Sequence, residues 1–150
     1  YKLPEWNNIR LDLYGMNFEG NTVNNAEYHG SFPPDELISH LEGHFGLVWD
    51  GDSLDTCSGT FGRYLKYNNP HKFSLYLAAG IPLIVWDQSA LAEYVQKYNL
   101  GLCVSSLTDI EDMLNNLSSE AYEEMRNSVM EYRKGIITGR QLKQALEAEA

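Results

Sequence analysis

The residues that could do chemistry are concentrated in Asn68-Asn69-Pro70-His71-Lys72-Phe73-Ser74. Asn69 followed by Pro70 predicts a capped helix start, which puts His71 and Lys72 in the first turn. A cation there opposes the helix dipole, which favours Asp or Glu by roughly 0.3–1 kcal/mol per charge. The reversed polarity points to a fixed anion at this terminus, held by free backbone N–H groups and Lys72. A solvated Lys72 is the plain alternative. The loop upstream, Thr56-Cys57-Ser58-Gly59-Thr60-Phe61-Gly62-Arg63, supplies small hydroxyl residues and two glycines, which let a backbone approach a ligand closely. It matches neither a Walker loop nor a dinucleotide fingerprint.

Asp50-Gly51-Asp52 is a second candidate. Two carboxylates flanking Gly can grip Mg²⁺ or Mn²⁺ together with substrate phosphates. A turn closed by Asp side chains is the favoured reading, with hydrogen bonding to a ligand next. The histidines at 29, 40, 44 and 71 show no metal-ligand spacing and read as surface or packing residues. Cys57 has no neighbouring base, and Ser58 lacks the G-x-S-x-G elbow of hydrolases. The tyrosines near the C-terminus read as core or interface.

The elements that must position these residues alternate between strands and helices. Strands are predicted at Ile9–Tyr14, Glu27–His29, Phe45–Trp49, Ile81–Trp86 and Gly101–Val104. Ser31 is the expected cap of a helix carrying Pro33 and Pro34 at its start. Pro70–Ala79 is the next helix, closed by Gly80, and Leu91, Tyr94, Val95 and Tyr98 mark another. Thr108 with Glu111 reads as a capping box. Ser118 caps a long helix with Tyr122, Met125, Val129 and Tyr132 on one face, interrupted at Gly135 and Gly139 before a short terminal helix around Leu142 and Leu146. The Asn-rich Gly20–Glu27 and the stretch from Gly51 to Asn69 are expected to be loops, and long loops in compact domains are usually functional. Strands separated by helices predict an α/β domain: a Rossmann-like parallel sheet flanked by helices, with right-handed crossovers. Ligands bind beyond the carboxyl ends of such strands, here Tyr14-Gly15, Gly30-Ser31, Asp50-Gly51-Asp52 and Trp86-Asp87.

The 150 residues are the length of one ordinary domain, and 43% hydrophobic content is enough for a core. A net charge of −10 argues against a nucleic-acid or anionic-membrane surface, though one local basic pocket is compatible with it. No apolar run reaches membrane-span length, and no leader of signal-peptide type opens the chain. Two cysteines, Cys57 and Cys103, make no disulfide scaffold. The expectation is a reduced, cytoplasmic protein. The opening at Tyr1 rather than Met suggests a piece of a longer one.

Several long stretches resemble a known family. Tyr28-His29-Gly30-Ser31-Phe32-Pro33-Pro34-Asp35-Glu36-Leu37, Phe45–Asp52, and Tyr64–Lys72 followed by Leu77-Ala78-Ala79-Gly80-Ile81-Pro82-Leu83-Ile84 resemble bacterial glucosyltransferases that extend glycans on serine-rich-repeat adhesins. Related sequences are galactofuranosyltransferases. The resemblance covers nearly the whole chain. It implies the C-terminal, nucleotide-sugar-binding half of a GT-B enzyme, whose two Rossmann-like domains face a cleft, with the acceptor domain outside this chain. It implies that Lys72 contacts the diphosphate of a UDP-sugar, with UDP-glucose as the expected donor and a protein-linked glycan as acceptor. The wider retaining GT-B pattern often places a ribose-gripping Glu three residues after that Lys. Here the position is Leu75, so the ribose contact must come from Ser74 or the loop. The nucleobase is expected near Gly30-Ser31-Phe32, with Tyr14-Gly15 bordering the cleft.

Residues and resemblance together give the candidate binding set: Asn69, His71, Lys72 and Ser74 at the helix start, Ser58 and Gly59 in the loop, Asp50, and Gly15, Ser31 and Phe32. No catalytic base is assigned and no metal is expected, because GT-B enzymes hold diphosphate with helix termini and basic side chains. The aromatic final helices could bury against another copy. A non-catalytic nucleotide-sugar-binding or assembly subunit, or a galactofuranosyltransferase using UDP-galactofuranose, are the competing functions. A phospho-acceptor receiver domain fails, because Tyr14-Gly15 and Val104-Ser105 stand where it needs an acidic pair and a Lys.

Overall fold

The computed structural model describes residues 3–16, 18, 25–51 and 53–137. Asp52, Gly139, Leu142, Leu146 and most of the Asn-rich loop lie outside them. The described chain forms two parallel β units with helices between and after them. Strands β1 (Leu11–Leu13) and β2 (Ala26–Tyr28) pair in parallel, with Asp12 opposite Glu27. Strands β3 (Gly46–Val48), β4 (Leu83–Trp86) and β5 (Gly101–Val104) form a three-stranded parallel sheet in sequence order. Helix α1 (Pro34–His40) joins the two units. Helices α2 (Gly59–Tyr64) and α3 (His71–Ala79) connect β3 to β4, and α4 (Ala92–Lys97) connects β4 to β5. A 3₁₀ turn (Leu107–Asp109), α5 (Ile110–Asn115) and α6 (Ser119–Ile137) complete the fold.

The alternation of side chains along β4 explains why its sequence is an unbroken apolar run. Leu83 and Val85 join a core with Val48, Phe73, Leu77, Leu91, Val95, Leu100 and Val129. Ile84 and Trp86 enter a second core with Trp6, Trp49, Leu65, Val104, Leu107 and Ile110. Successive residues point to opposite faces, so the sheet is covered on both sides, as a central parallel strand requires. All four β4 residues are buried. Each such side chain contributes about 1.5–3 kcal/mol of burial. The architecture is the Rossmann-like α/β class predicted by the strand–helix alternation. Among the described residues, no helix is long and apolar enough to cross a membrane.

The element ends correct several expectations. Ser31 does not cap α1: Pro33 occupies the cap position, and no side chain bonds there. A cap at Ser31 would have to bond the N–H groups of Pro33 or Pro34, and neither residue has one. Asn69 does not cap α3, because Pro70 takes that place with φ −67° and ψ 148°. Pro70 keeps an extended ψ and so stands outside the helix, which begins at His71. The Gly51–Asn69 stretch is not all loop, since it contains α2. The capping box is made by Ser106 and Asp109 rather than by Thr108 and Glu111. The Glu111 carboxylate instead accepts the backbone N–H groups of Asn7 and Asn8 at 2.7 and 2.8 Å, tying the N-terminal segment to α5.

Gly135 does not interrupt α6, which continues to Ile137. One helical Gly costs about 1 kcal/mol, and the buried face of Met125 and Val129 offsets it. Ser118 does cap α6, through Ala121 N–H at 3.1 Å. Gly80 closes α3 in the left-handed region, φ 80°, as expected for a helix C-terminus.

Candidate functional site

The carboxyl ends of β3 and β4 run into Asp50 and Asp87, and β5 into Ser105. Over the end of β3 lie the starts of both connecting helices. A side chain at Gly51 would reach within 2.6 Å of the Ser58 backbone nitrogen, and one at Gly62 within 2.9 Å of the Asp50 carbonyl. These close approaches seat α2 directly on the strand end. Gly51 also has φ 129°, a conformation that disfavours side chains. From the other connecting helix, Lys72 Nζ approaches Asp50 Oδ1 at 3.4 Å. The Lys72 side chain is 48% exposed and that of Asp50 26%, so the pair stands at the surface.

Four of the six described α-helices carry an acid in the first turn: α1, α4, α5 and α6. The two that carry none are α2 and α3, and neither has a side-chain cap. These uncompensated positive termini are the two that flank Asp50. The first N–H groups of a helix lack intrahelical partners, so this strand end presents backbone donors and one ammonium group to any anion that enters.

The structure brings Asp50, Ser58, Gly59 and Lys72 together. Ser58 is half-buried in the cap position of α2, and Gly59 opens that helix with φ 72°. Asn69, His71 and Ser74 are exposed at the start of α3. Asp52 falls outside the described residues, so the paired-carboxylate reading rests on Asp50 alone. Cys57, buried beneath this loop, has its thiol pushed up to about 11. Burial is the main cause; the charges of Asp50 and Asp87 add to it, and a backbone hydrogen bond with Asp50 and the charge of Lys72 oppose it. A thiol held so firmly protonated is no nucleophile.

Gly15, Ser31 and Phe32 lie in a second group, at the ends of β1 and β2. Gly15 N–H donates to Gly30 carbonyl at 2.9 Å. Tyr14 stacks on His29 with ring centres 4.9 Å apart, and Phe32 stacks on His40 at 3.9 Å. Ser31 is exposed. His29 Nε2 lies 2.8 Å from Asp12 Oδ1, and Arg10 Nε lies 3.3 Å from the same oxygen. Ligand atoms of Asp12, Glu27 and His29 fall within 4.8 Å of one another, close enough to share a cation. The Arg10 guanidinium already balances Asp12 there. Burial raises the Tyr76 phenol, and the charge of Tyr14 adds to it.

Sequence reasoning missed three parts of this surface. The α2 helix is hidden by Gly59 and Gly62, which read as loop residues. Ser105 donates to Asp87 Oδ2 at 2.7 Å, a contact whose signal was the repeated Asp at a strand end. The Asp12–His29 pair was legible only through the register of β1 and β2. A surface depression lined by Asn7, Asn8, Ile9, Arg10, Asn25, Ala26 and Glu27 lies at the opposite, amino ends of those strands, and none of the candidate residues lines it.

Residues 2–149 match the family described as "Glucosyltransferase 3-like, C-terminal domain". The chain is 39% identical over 137 residues to the beta-1,6-galactofuranosyltransferase WbbI of Escherichia coli, a match covering 90% of this chain and 41% of that protein. It is 32% identical over 123 residues to Glucosyltransferase 3 of Streptococcus gordonii, covering 81% of this chain and 36% of that protein. It is 27% identical over 150 residues to Glucosyltransferase 3 of Streptococcus parasanguinis, covering 97% of this chain and 40% of that protein. The chain thus spans about two fifths of the length of these curated relatives. With the family match running across all but the terminal residues of the α/β domain, the chain belongs to the Glucosyltransferase 3-like C-terminal domain family.

Proposed function

We propose that this chain is the nucleotide-sugar-binding domain of a two-domain, GT-B-type glycosyltransferase that works in the cytoplasm. The observation that carries the reading is Lys72 in the first turn of an acid-free helix, aimed at the carboxyl end of β3. A UDP-sugar diphosphate at this end would meet the N–H groups of α3, the start of α2 at Ser58 and Gly59, and the Lys72 ammonium. As the sugar bond breaks, charge grows on the departing diphosphate. Preorganised donors there lower the barrier electrostatically. His71, Asn69 and Ser74 border the same helix start and are in reach of a bound nucleotide. Gly15, Ser31 and Phe32 supply the expected nucleobase side. No metal is part of this reading: Lys72 and the helix N–H groups supply the positive charge that faces the diphosphate.

UDP-glucose is the proposed donor, with a protein-linked glycan, such as one begun by GlcNAc on a serine-rich-repeat adhesin, as acceptor. The acceptor would be held by an N-terminal domain that also supplies any proton transfer. UDP-galactofuranose is the second reading, favoured by the 39% identity to a relative named as a galactofuranosyltransferase. A non-catalytic binding subunit would keep the same donor site. Calorimetric titration with UDP, UDP-glucose and UDP-galactofuranose tests the proposal. Binding of UDP with a preference for UDP-glucose supports it. A preference for UDP-galactofuranose selects the second reading, and failure to bind any of the three removes the donor-site assignment.

A further inference from the structure

We infer that Asp50 is an exchangeable counter-ion for Lys72, holding the ammonium group while the site is empty and competing with the nucleotide diphosphate for it. The inference rests on the donor-site reading above and adds a role for Asp50. The geometry is asymmetric. Asp50 leaves a rigid base: α2 is seated against its carbonyl through Gly62, and Val48 and Trp49 before it are buried. Lys72 reaches it over a four-carbon stem from an exposed first turn, at a distance of 3.4 Å. The flexible partner can turn to a new anion, whereas the fixed carboxylate stays. A diphosphate at the α3 terminus would then displace Asp50 from Lys72 and lie beside its unpaired negative charge.

Two consequences follow. In the empty site, Asp50 neutralises a cation that the helix terminus disfavours. In the occupied site, it opposes the diphosphate and offers Lys72 a way back, which favours release of UDP after transfer. Asp50 acts through Lys72 and through its own charge, so it is a positioning residue. Its removal should strengthen nucleotide binding, the reverse of what loss of a direct ligand does.

The test is a double-mutant cycle on the whole chain, with UDP and inorganic pyrophosphate as probes. Asp50→Asn keeps the shape and removes the charge, and Asp50→Ser is the second variant should the amide find new partners. Asp50→Asn is expected to bind both probes about three- to ten-fold more tightly, from loss of an exposed ion pair and of a like-charge contact. In a Lys72→Ala background the same substitution should give a clearly smaller gain, because no ammonium remains to be released. Melting without ligand should be unchanged or slightly lowered, so affinity and stability move in opposite directions. Unchanged or weaker binding in both Asp50 variants, with the parent binding UDP, overturns this inference and leaves the donor site standing. Absence of UDP binding by the parent overturns both.

Discussion

At the scale of single residues, Lys72 and Cys57 carry opposite expectations. Lys72→Ala should weaken UDP binding by about 1.5–3 kcal/mol, the worth of a charge-assisted hydrogen bond. Without ligand it should melt close to the parent. The lost half-exposed pair with Asp50 contributes about 0–1 kcal/mol, and relief of the helix dipole returns a similar amount. A variant that melts well below the parent while binding UDP normally would make Lys72 a structural residue. Cys57 should resist alkylation. With its thiol pushed up to about 11, the fold holds the proton to higher pH than the unfolded chain does. The linked stability is therefore complete below pH 9 and lost as pH rises from 9 toward 11. Iodoacetamide labelling followed by mass spectrometry at pH 8 should leave Cys57 unmodified in the native protein and modify it in urea. Rapid native labelling would contradict the buried placement.

At the scale of elements, the helix starts decide the site, and they are where the sequence was hardest to read. The Lys72 anomaly was legible because charge near a helix terminus depends only on local order. The exact caps were not: Pro33 and Pro34 lack the N–H groups that a Ser31 cap would bond, and the extended Pro70 takes the cap position that Asn69 was expected to hold. Strands β3, β4 and β5 were legible from their apolar runs. The α2 helix was not, because Gly59 and Gly62 suit a loop equally well until the strand end they pack on is known. That packing gives an element-scale prediction. Gly62→Ala places a methyl group 2.5 Å from the Cys57 carbonyl carbon and 2.9 Å from the Asp50 carbonyl oxygen. Backbone has little room to yield, so the substitution should cost about 1–3 kcal/mol in urea unfolding. It should also weaken UDP binding by lifting α2 from β3. A Gly62→Ala protein of parental stability and affinity would show that α2 does not seat the site.

At the scale of the whole molecule, the fold class followed from strand–helix alternation, and the two-sided core of β4 is its physical basis. The grouping of Gly15 and Phe32 with Tyr14 and His29, apart from Lys72, needed tertiary structure, because residues far apart in sequence meet only through β1–β2 pairing. The proposed division of labour makes a further prediction. The 150-residue chain, alone, should release no UDP from UDP-glucose in the presence of a GlcNAc-bearing peptide, because acceptor binding is proposed to belong to another domain. Steady transfer followed by mass spectrometry would place the whole reaction in this chain.

The central claim is that the β3 end, between the starts of α2 and α3, binds a nucleotide diphosphate with protein groups alone. Isothermal titration of the chain with UDP in EDTA tests it most directly. The account predicts saturable one-to-one binding that EDTA leaves unchanged and that rising salt weakens, as expected for a surface ammonium and helix N–H groups. No binding in EDTA, with binding restored by Mn²⁺, would contradict it and give the site to a metal held by carboxylates.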